Sequence, residues 1–448
     1  MKAQLVSPLF LLVATQCIGK PKQEPRDASP ASLPSAAQAP APAPSAVAPP
    51  IQASAPSIIP SNCGRPKLVE GRSLVQVASR PKPEKGVARP EPNFETCVVR
   101  ATDHAKDGTN TFSRNDYSRR QAFNADSTYF ITISRDDRWY LYDTQSLRLP
   151  KHLAGPGEDA EPHWHPTNPN TLYYGDDNGG LRIHELNVVS NTSRVVADLT
   201  GKLPWPTAAR ASTAAEGSPS RDARYWGFQV ETSDRQMLGF AVWDLVQGKL
   251  VSSLPRKSRP DHVSMSPSGR WFVSSGDDEG TVAWSRDFSK KFLLQRSSEH
   301  SDLALGADGH DYYVSIDYES AAGYVFMVDL DRERRVELFS TYIDGSATSM
   351  HFSGKAFDKP GWVLVSTYAG KGAPRWYTDR VFAMELRPNP KIYQLAAHHS
   401  VVQKQYFAEP HASVNRDFTW VIFNSNWDQP GSLDIDAYLL RLPPGAFP

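Results

Sequence analysis

Apolar and polar residues alternate in short bursts along most of this chain. In "YFITI", "WFVSS" and "TVAWS" aromatic or β-branched residues recur at a period of two, and Gly, Asp, Asn and Ser bound each burst. That pattern predicts short strands joined by tight turns. No long stretch holds the 3.6-residue periodicity of a helix. The bursts group into a unit that repeats: a small-residue turn, an aromatic-rich strand, a variable loop, and a second strand that often ends in an acidic residue. The turns begin near residues 124, 165, 220, 266, 306, 357 and 415. This spacing of roughly 40 to 60 residues is the period of propeller blades. Seven copies fill one closed ring, so the expected fold is all-β, a seven-bladed β-propeller. The last unit holds only three strands, and the orphan strand "ETCVVRATD" (95–103) is expected to supply its missing outer strand. Joining the two ends of the chain in one blade closes the ring and covers a free sheet edge.

The first residues follow a different pattern. A lysine precedes the apolar run of Leu5 to Val13, too short to span a bilayer and right for a secretory signal, so residues 1–17 are expected to direct export. Cys17 stands where a bacterial lipoprotein carries its lipid, although Ala-Thr-Gln precedes it, and lipidation or simple cleavage are both open. The location that follows is the periplasm, or the outer membrane or cell surface for a lipoprotein. Residues 18–62 are rich in Pro, Ala and Ser and cannot bury enough apolar surface to offset chain entropy, which makes them a semi-extended tether. The propeller then occupies 63–448. Of the three cysteines, Cys63 and Cys97 remain, and in an oxidising compartment they are expected to form one structural disulfide pinning the leader to the closing strand.

Charge narrows the function. Lys plus Arg and Asp plus Glu both number 49, and no basic stripe is present, which argues against nucleic acid. Phosphate loops, dinucleotide fingerprints and Gly-x-Ser-x-Gly elbows are also missing. The local signal is stronger. Four residues before each turn, on the innermost strand, stand Arg120, Glu161, Glu216, His262, Asp302, Ser353 and His411, all polar. Two residues further upstream, on the same face, stand Ser118, Asp159, Ala214, Pro260, His300, His351 and Glu409. Innermost strands surround a propeller's axis, so both sets line the channel and its mouth. Two readings follow: the rings hydrate a water-filled channel, or His300, His351, His411 and Glu409 gather a divalent cation such as zinc or manganese, which imidazole and carboxylate ligands suit. His163 and His165 in "PHWHP" share a strand face, but His165 holds the turn position that Ser266 fills elsewhere.

The turns "SPSGRWFVS" and "NADSTYFIT" resemble those of TolB-like seven-bladed propellers over about residues 95 to 445. Within that group "VVRATD", "YSRRQAFNAD", "PHWHPTNPNTLYY", "EHSDLALGADG" and "EPHASVNRDFTWVIF" are similar to polysaccharide lyases of the oligogalacturonate and ulvan lyase type. The resemblance implies β-elimination on a uronate-containing polysaccharide. This needs a base, a cation or Arg/Asn to hold the sugar carboxylate, and an acid for the leaving oxygen. Under that reading His262 or His165 is the base and Tyr117 or Tyr225 the acid. Arg119, Arg120 and Asn124 bind carboxylate, Glu161 and Glu216 contact substrate, and His300, His351, His411 and Glu409 hold the metal. One departure stands out: the lyases tend to carry Gln-x-x-His-x-His in the last blade, where this chain reads "FAEPHASV". TolB-like propellers also include pure binding proteins, so the alternative is a non-catalytic envelope propeller for a glycan or protein partner. A closed ring has no built-in need for a second copy, so a monomer is expected.

Overall fold

The inner strands of a propeller blade are buried on both faces, so their alternate residues must serve two different interfaces. Blade four shows this. In the strand Trp271–Asp277, Trp271 and Val273 pack with Leu303, Tyr313 and Phe326 of blade five. Phe272, between them, packs with Phe240 and Val242 of blade three. The period of two in "WFVSS" therefore encodes both neighbours at once.

The computed structural model describes residues 68–448 apart from 92, 95, 149, 150, 158, 159, 178, 404 and 447. The expected signal, Cys17, the tether and Cys63 lie outside the described residues. The described chain forms seven sheets, each built on antiparallel strands in sequence order, with N-terminal strands added to the last two and one parallel pairing in the seventh. Blade four, for example, is His262–Met265, Trp271–Asp277, Gly280–Ser285 and Lys291–Gln295 from inside outward. The other inner strands include His163–Trp164, Arg210–Ser212, Asp302–Leu305, Ala347–Ser353 and Ser413–Val414. Blade one has three strands, and its inner position is filled by single bridges from Arg114 to Ile133 and from Phe123 to Phe130. The only α-helix among the described residues is the single turn His104–Asp107.

Blade seven is closed as the sequence predicts. Cys97–Arg100 pairs antiparallel with Ile435–Arg441, Val99 facing Leu439, and supplies the strand beyond the last of the chain's C-terminal ones. Cys97 is buried there, at 1 % exposure. Upstream, Val69–Glu70 adds a fifth strand to blade six and Arg89–Pro90 adds one outside Cys97–Arg100. Residues 68–91 thus run along the outside of the last two blades, a role that their Pro-containing sequence, without alternation, does not announce.

The turns repeat one device. The side-chain oxygen of the first turn residue accepts the backbone N–H five residues on: Asn124 from Tyr129 at 2.9 Å, Ser220 from Tyr225 at 2.9 Å, Ser266 from Trp271 at 3.1 Å and Asn415 from Trp420 at 2.9 Å. Each bond contributes about 1 kcal/mol and fixes the angle between inner and second strand. In the Ser266 turn, Gly269 takes φ +71°, where a Cβ would strike the ring of Tyr225.

Candidate functional site

After the closing strand the chain turns inward. Asp103 caps the helical turn, and Phe112–Ser113 runs parallel to Ile435 and Asp436 of blade seven. Residues 115–120 then enter the axis and plug one end of the channel. Asn115 anchors the plug: its N–H donates to Asn424 Oδ1 at 2.7 Å, its Nδ2 to the His411 carbonyl at 2.6 Å, and its own carbonyl accepts from Asn424 Nδ2 at 2.9 Å. His411 is held at φ +38°, a conformation that costs a side-chain-bearing residue about 1 to 3 kcal/mol. Strain of that size persists only where surrounding bonds impose it.

Tyr117 occupies the centre. Its ring lies 4.8 Å from that of His411, 5.3 Å from His351 and 6.4 Å from His300. Ligand atoms of His351, Glu409 and His411 all lie within 4.8 Å of one another. Glu409 Oε2 is 2.8 Å from His351 Nε2 and 3.3 Å from His411 Nε2. His300 stacks on His351 with centroids 4.3 Å apart, and its Nδ1 bonds the Tyr368 hydroxyl at 3.0 Å. Three of the four expected metal residues therefore converge, and the fourth lies alongside them. Burial, then the neighbouring His351, pulls His300 and His411 down to about 3, and burial with the Arg119 charge holds His351 well below the usual range. All three rings are neutral, the form in which imidazole ligates a metal.

Arg119 spans to the far side. Its guanidinium lies 5.2 Å over the Tyr117 ring, pairs with Glu216, donates to the carbonyls of Ser301 and Glu299, and reaches His262 Nδ1 at 3.3 Å. Burial alone would weaken the cation, but Tyr117, Glu216 and Asp302 outweigh it and keep Arg119 firmly protonated. His262 Nδ1 also lies 3.4 Å from Asp261 and 3.9 Å from Glu216. Glu216 comes this close because 213–218 leans onto the inner strand of blade four: Val263 N–H donates to the Thr213 carbonyl at 3.1 Å and Met265 N–H to that of Ser218 at 2.9 Å. The Glu216 and Asp261 side chains are 25 and 53 % exposed, whereas His351 and His411 are fully buried. Solvent therefore meets the site from blades three and four.

Other expected site residues stand elsewhere. Arg120 is taken up by Asp116 at 2.7 Å and by the carbonyls of Pro162 and Ala215. Glu161 accepts the backbone N–H groups of Thr213 and Ala215, the former at 3.0 Å, and so shapes a loop. Asn124 is a turn cap that also reaches the Pro169 carbonyl. His165 Nδ1 accepts from Thr167 and Asn168 N–H at 3.1 and 2.9 Å, at the turn end of its strand. Tyr225 lies between Arg224 and Arg286, also at a turn. Arg120, Glu161, Asn124 and Tyr225 are spent on ion pairing, backbone or packing, and His165 has its Nδ1 taken by backbone, away from the Tyr117 cluster. Conversely, Tyr368, Tyr406 and Asp261 complete the site without any signal in the turn alignment. Only Asp261, next to His262, could have been found by adjacency.

No protein-family model matches the sequence, and no curated protein matches it. Solved structures do share the fold. An oligogalacturonate lyase solved in complex with manganese superposes with a TM-score of 0.57 at 14 % identity, covering 85 % of this chain and 99 % of that one. A second oligogalacturonate lyase, from Vibrio parahaemolyticus, gives 0.55 at 12 % identity over 85 and 98 %. The chain is a seven-bladed β-propeller of the same architecture as these enzymes.

Proposed function

We propose that this protein is a cation-assisted polysaccharide lyase that cleaves a uronate-containing glycan by β-elimination. The observation that carries the reading is the convergence of His351, Glu409 and His411 beneath Tyr117, with Arg119 and His262 beside it. The donor set fits a divalent first-row ion such as manganese or zinc. Two neutral imidazoles and one carboxylate meet, and His351 Nδ1 is buried without a hydrogen-bond partner. Such an ion, when bound, neutralises charge on the sugar carboxylate and so acidifies the C5 proton.

The chain's own groups supply the rest. Arg119 exchanges Glu216 for the substrate carboxylate, a swap open to it because Glu216 faces solvent. His262 takes the C5 proton, the C4–C5 double bond forms, the C4–O bond breaks, and Tyr117 gives its proton to the departing oxygen. Burial, then the negative charge of Glu216, holds the Tyr117 hydroxyl protonated. That suits an acid. Export, lipid attachment at Cys17 and an acidic envelope or environmental polysaccharide as partner belong to the same proposal.

The full burial of His351 and His411 favours a second reading, a propeller that binds an envelope glycan or protein without cleaving it. One experiment separates the two. The protein is incubated with pectic, ulvan and glucuronan substrates, with and without manganese or zinc, and absorbance of the unsaturated product is followed. Product formation that is lost in Glu409→Gln and His262→Ala supports the lyase. Silence across the panel with a metal-loaded protein overturns it and favours the binding propeller.

A further inference from the structure

The inner strands run from the site described above to the turns at the other end of the channel. A cavity of ≈ 40 Å³ opens there between blades one, two, three, six and seven. It has room for about three water-sized groups. Its walls carry Arg221, Lys355, Arg416, His163, His165 and Gln121 but no Asp or Glu. Two of the cations have partners: Lys355 Nζ meets Asp302 at 2.9 Å, and Arg416 meets Asp358 at 3.0 Å. Arg221 is exposed at the cavity mouth, its carbonyl accepts from Arg416, and its guanidinium has no ion pair among the described residues.

Two neutral donors or acceptors complete the walls. His165 Nδ1 already accepts two backbone N–H groups, so its Nε2 carries the proton and donates. His163 is 5 % exposed, and its Nε2 has no hydrogen-bond partner. A buried ring nitrogen left unpaired costs about 1 to 3 kcal/mol, which a ligand in the cavity would recover. Burial, then the positive charges of Arg120 and Lys355, hold His163 neutral.

We propose that this cavity is a binding site for a compact oxyanion, a carboxylate or phosphate group, held by Arg221, by the Nε2–H of His165 and by His163 in the tautomer whose Nε2 carries the proton. The site lies at the opposite end of the channel from the Tyr117 cluster and does not rest on the lyase reading. Two sources share this chemistry, a carboxylate on a glycan or protein and a phosphoryl group, and two probes separate them.

The test is calorimetric titration of the full chain with sodium acetate and with inorganic phosphate at constant ionic strength. A saturable signal with either probe is expected, weakened at least about fivefold in Arg221→Gln and in His163→Asn. Acetate alone assigns the site to carboxylates, phosphate alone to phosphoryl groups. No saturable signal overturns the proposal, as does binding undiminished in His163→Asn, since the ion then sits on the surface and not in the cavity. Should His163→Asn fail to fold, crystals of the unaltered protein soaked in selenate give the answer by anomalous scattering. A peak between Arg221 and His163 supports the site, and its absence from the cavity overturns it.

Discussion

Gly217 offers a sharp test of how the site is built. It lies in the segment that leans on blade four, and a Cβ there would fall far inside van der Waals contact with the Val263 carbonyl oxygen, 2.7 Å from Thr213 Cβ and 3.0 Å from the Val263 carbonyl carbon. Gly217→Ala must push the segment away by more than about 1 Å, an overpacking that costs about 1 to 3 kcal/mol. The same displacement weakens the Thr213–Val263 and Ser218–Met265 backbone bonds, at about 1 kcal/mol each. Against this, alanine stiffens the unfolded chain and returns about 0.4 to 1 kcal/mol. The net loss is about 2 to 4 kcal/mol. At about 2.1 cal/mol/K of unfolding entropy per residue over roughly 380 residues, the melting temperature falls by about 3 to 5 °C. Differential scanning calorimetry reads this directly. Gly175→Ala is the control, because its Cβ would meet only the Ala160 carbonyl at 3.6 Å, an ordinary contact. A Gly217→Ala protein that melts within about one degree of the unaltered one refutes the account of how Glu216 reaches His262.

Three further outcomes are expected. Asp436 is buried against Arg100 at 2.6 Å, Lys82 at 2.9 Å and His104 at 3.2 Å, so Asp436→Asn costs about 3 kcal/mol in urea melts near neutral pH. Burial would raise this carboxyl, but His104, Lys82 and Arg100 outweigh it and hold it low, so its stabilisation is complete above about pH 4 and is lost as pH falls further; the gap between variant and unaltered protein must narrow there. Glu299 moves the other way: burial, with help from Glu319 and Asp317, pushes it up to about 7, so ionising it opposes folding. Glu299→Gln therefore raises the melting temperature at about pH 8.5 and leaves it unchanged at about pH 4, where the carboxyl is protonated folded or unfolded. Val99, fully buried on the closing strand, loses about 2 kcal/mol on change to Ala, whereas Val87→Ala at 42 % exposure stays within about 0.5 kcal/mol, both read from urea midpoints.

The ring was legible because every blade repeats its turn chemistry, and side-chain caps such as Asn124 and Ser266 are written locally in the sequence. Polar residues on inner strands were legible for the same reason, as departures from a pattern that demands apolar ones. What escaped was register. Blade six aligns Ser353 with His411, yet its inner strand Ala347–Ser353 is seven residues long, and it is His351, two residues earlier, that packs 4.5 Å from His411. Blade three hides its own departure, since only a close backbone approach at Gly217 brings Glu216 to Arg119. His165, which holds the turn position that Ser266 fills elsewhere, acts as that position suggests: its Nδ1 caps the turn by accepting two backbone N–H groups.

The stretch that closes the ring also builds the site. Cys97–Arg100 zips onto blade seven, Phe112–Ser113 follows the same blade, and within a few residues Tyr117 and Arg119 reach the axis. Arg119 then ties to Glu216 beside blade four and to the Ser301 carbonyl beside blade five, while Asn115 is locked to Asn424 and His411 of blade seven. These partners come from both ends of the chain and from its middle, so no open ring can assemble them. Closing the ring and completing the Tyr117 cluster are therefore one cooperative event. A loosened closing strand such as Val99→Ala must disturb the cluster even though it touches none of its residues, and intact metal or substrate binding in that variant at temperatures where the strand has frayed would separate the two.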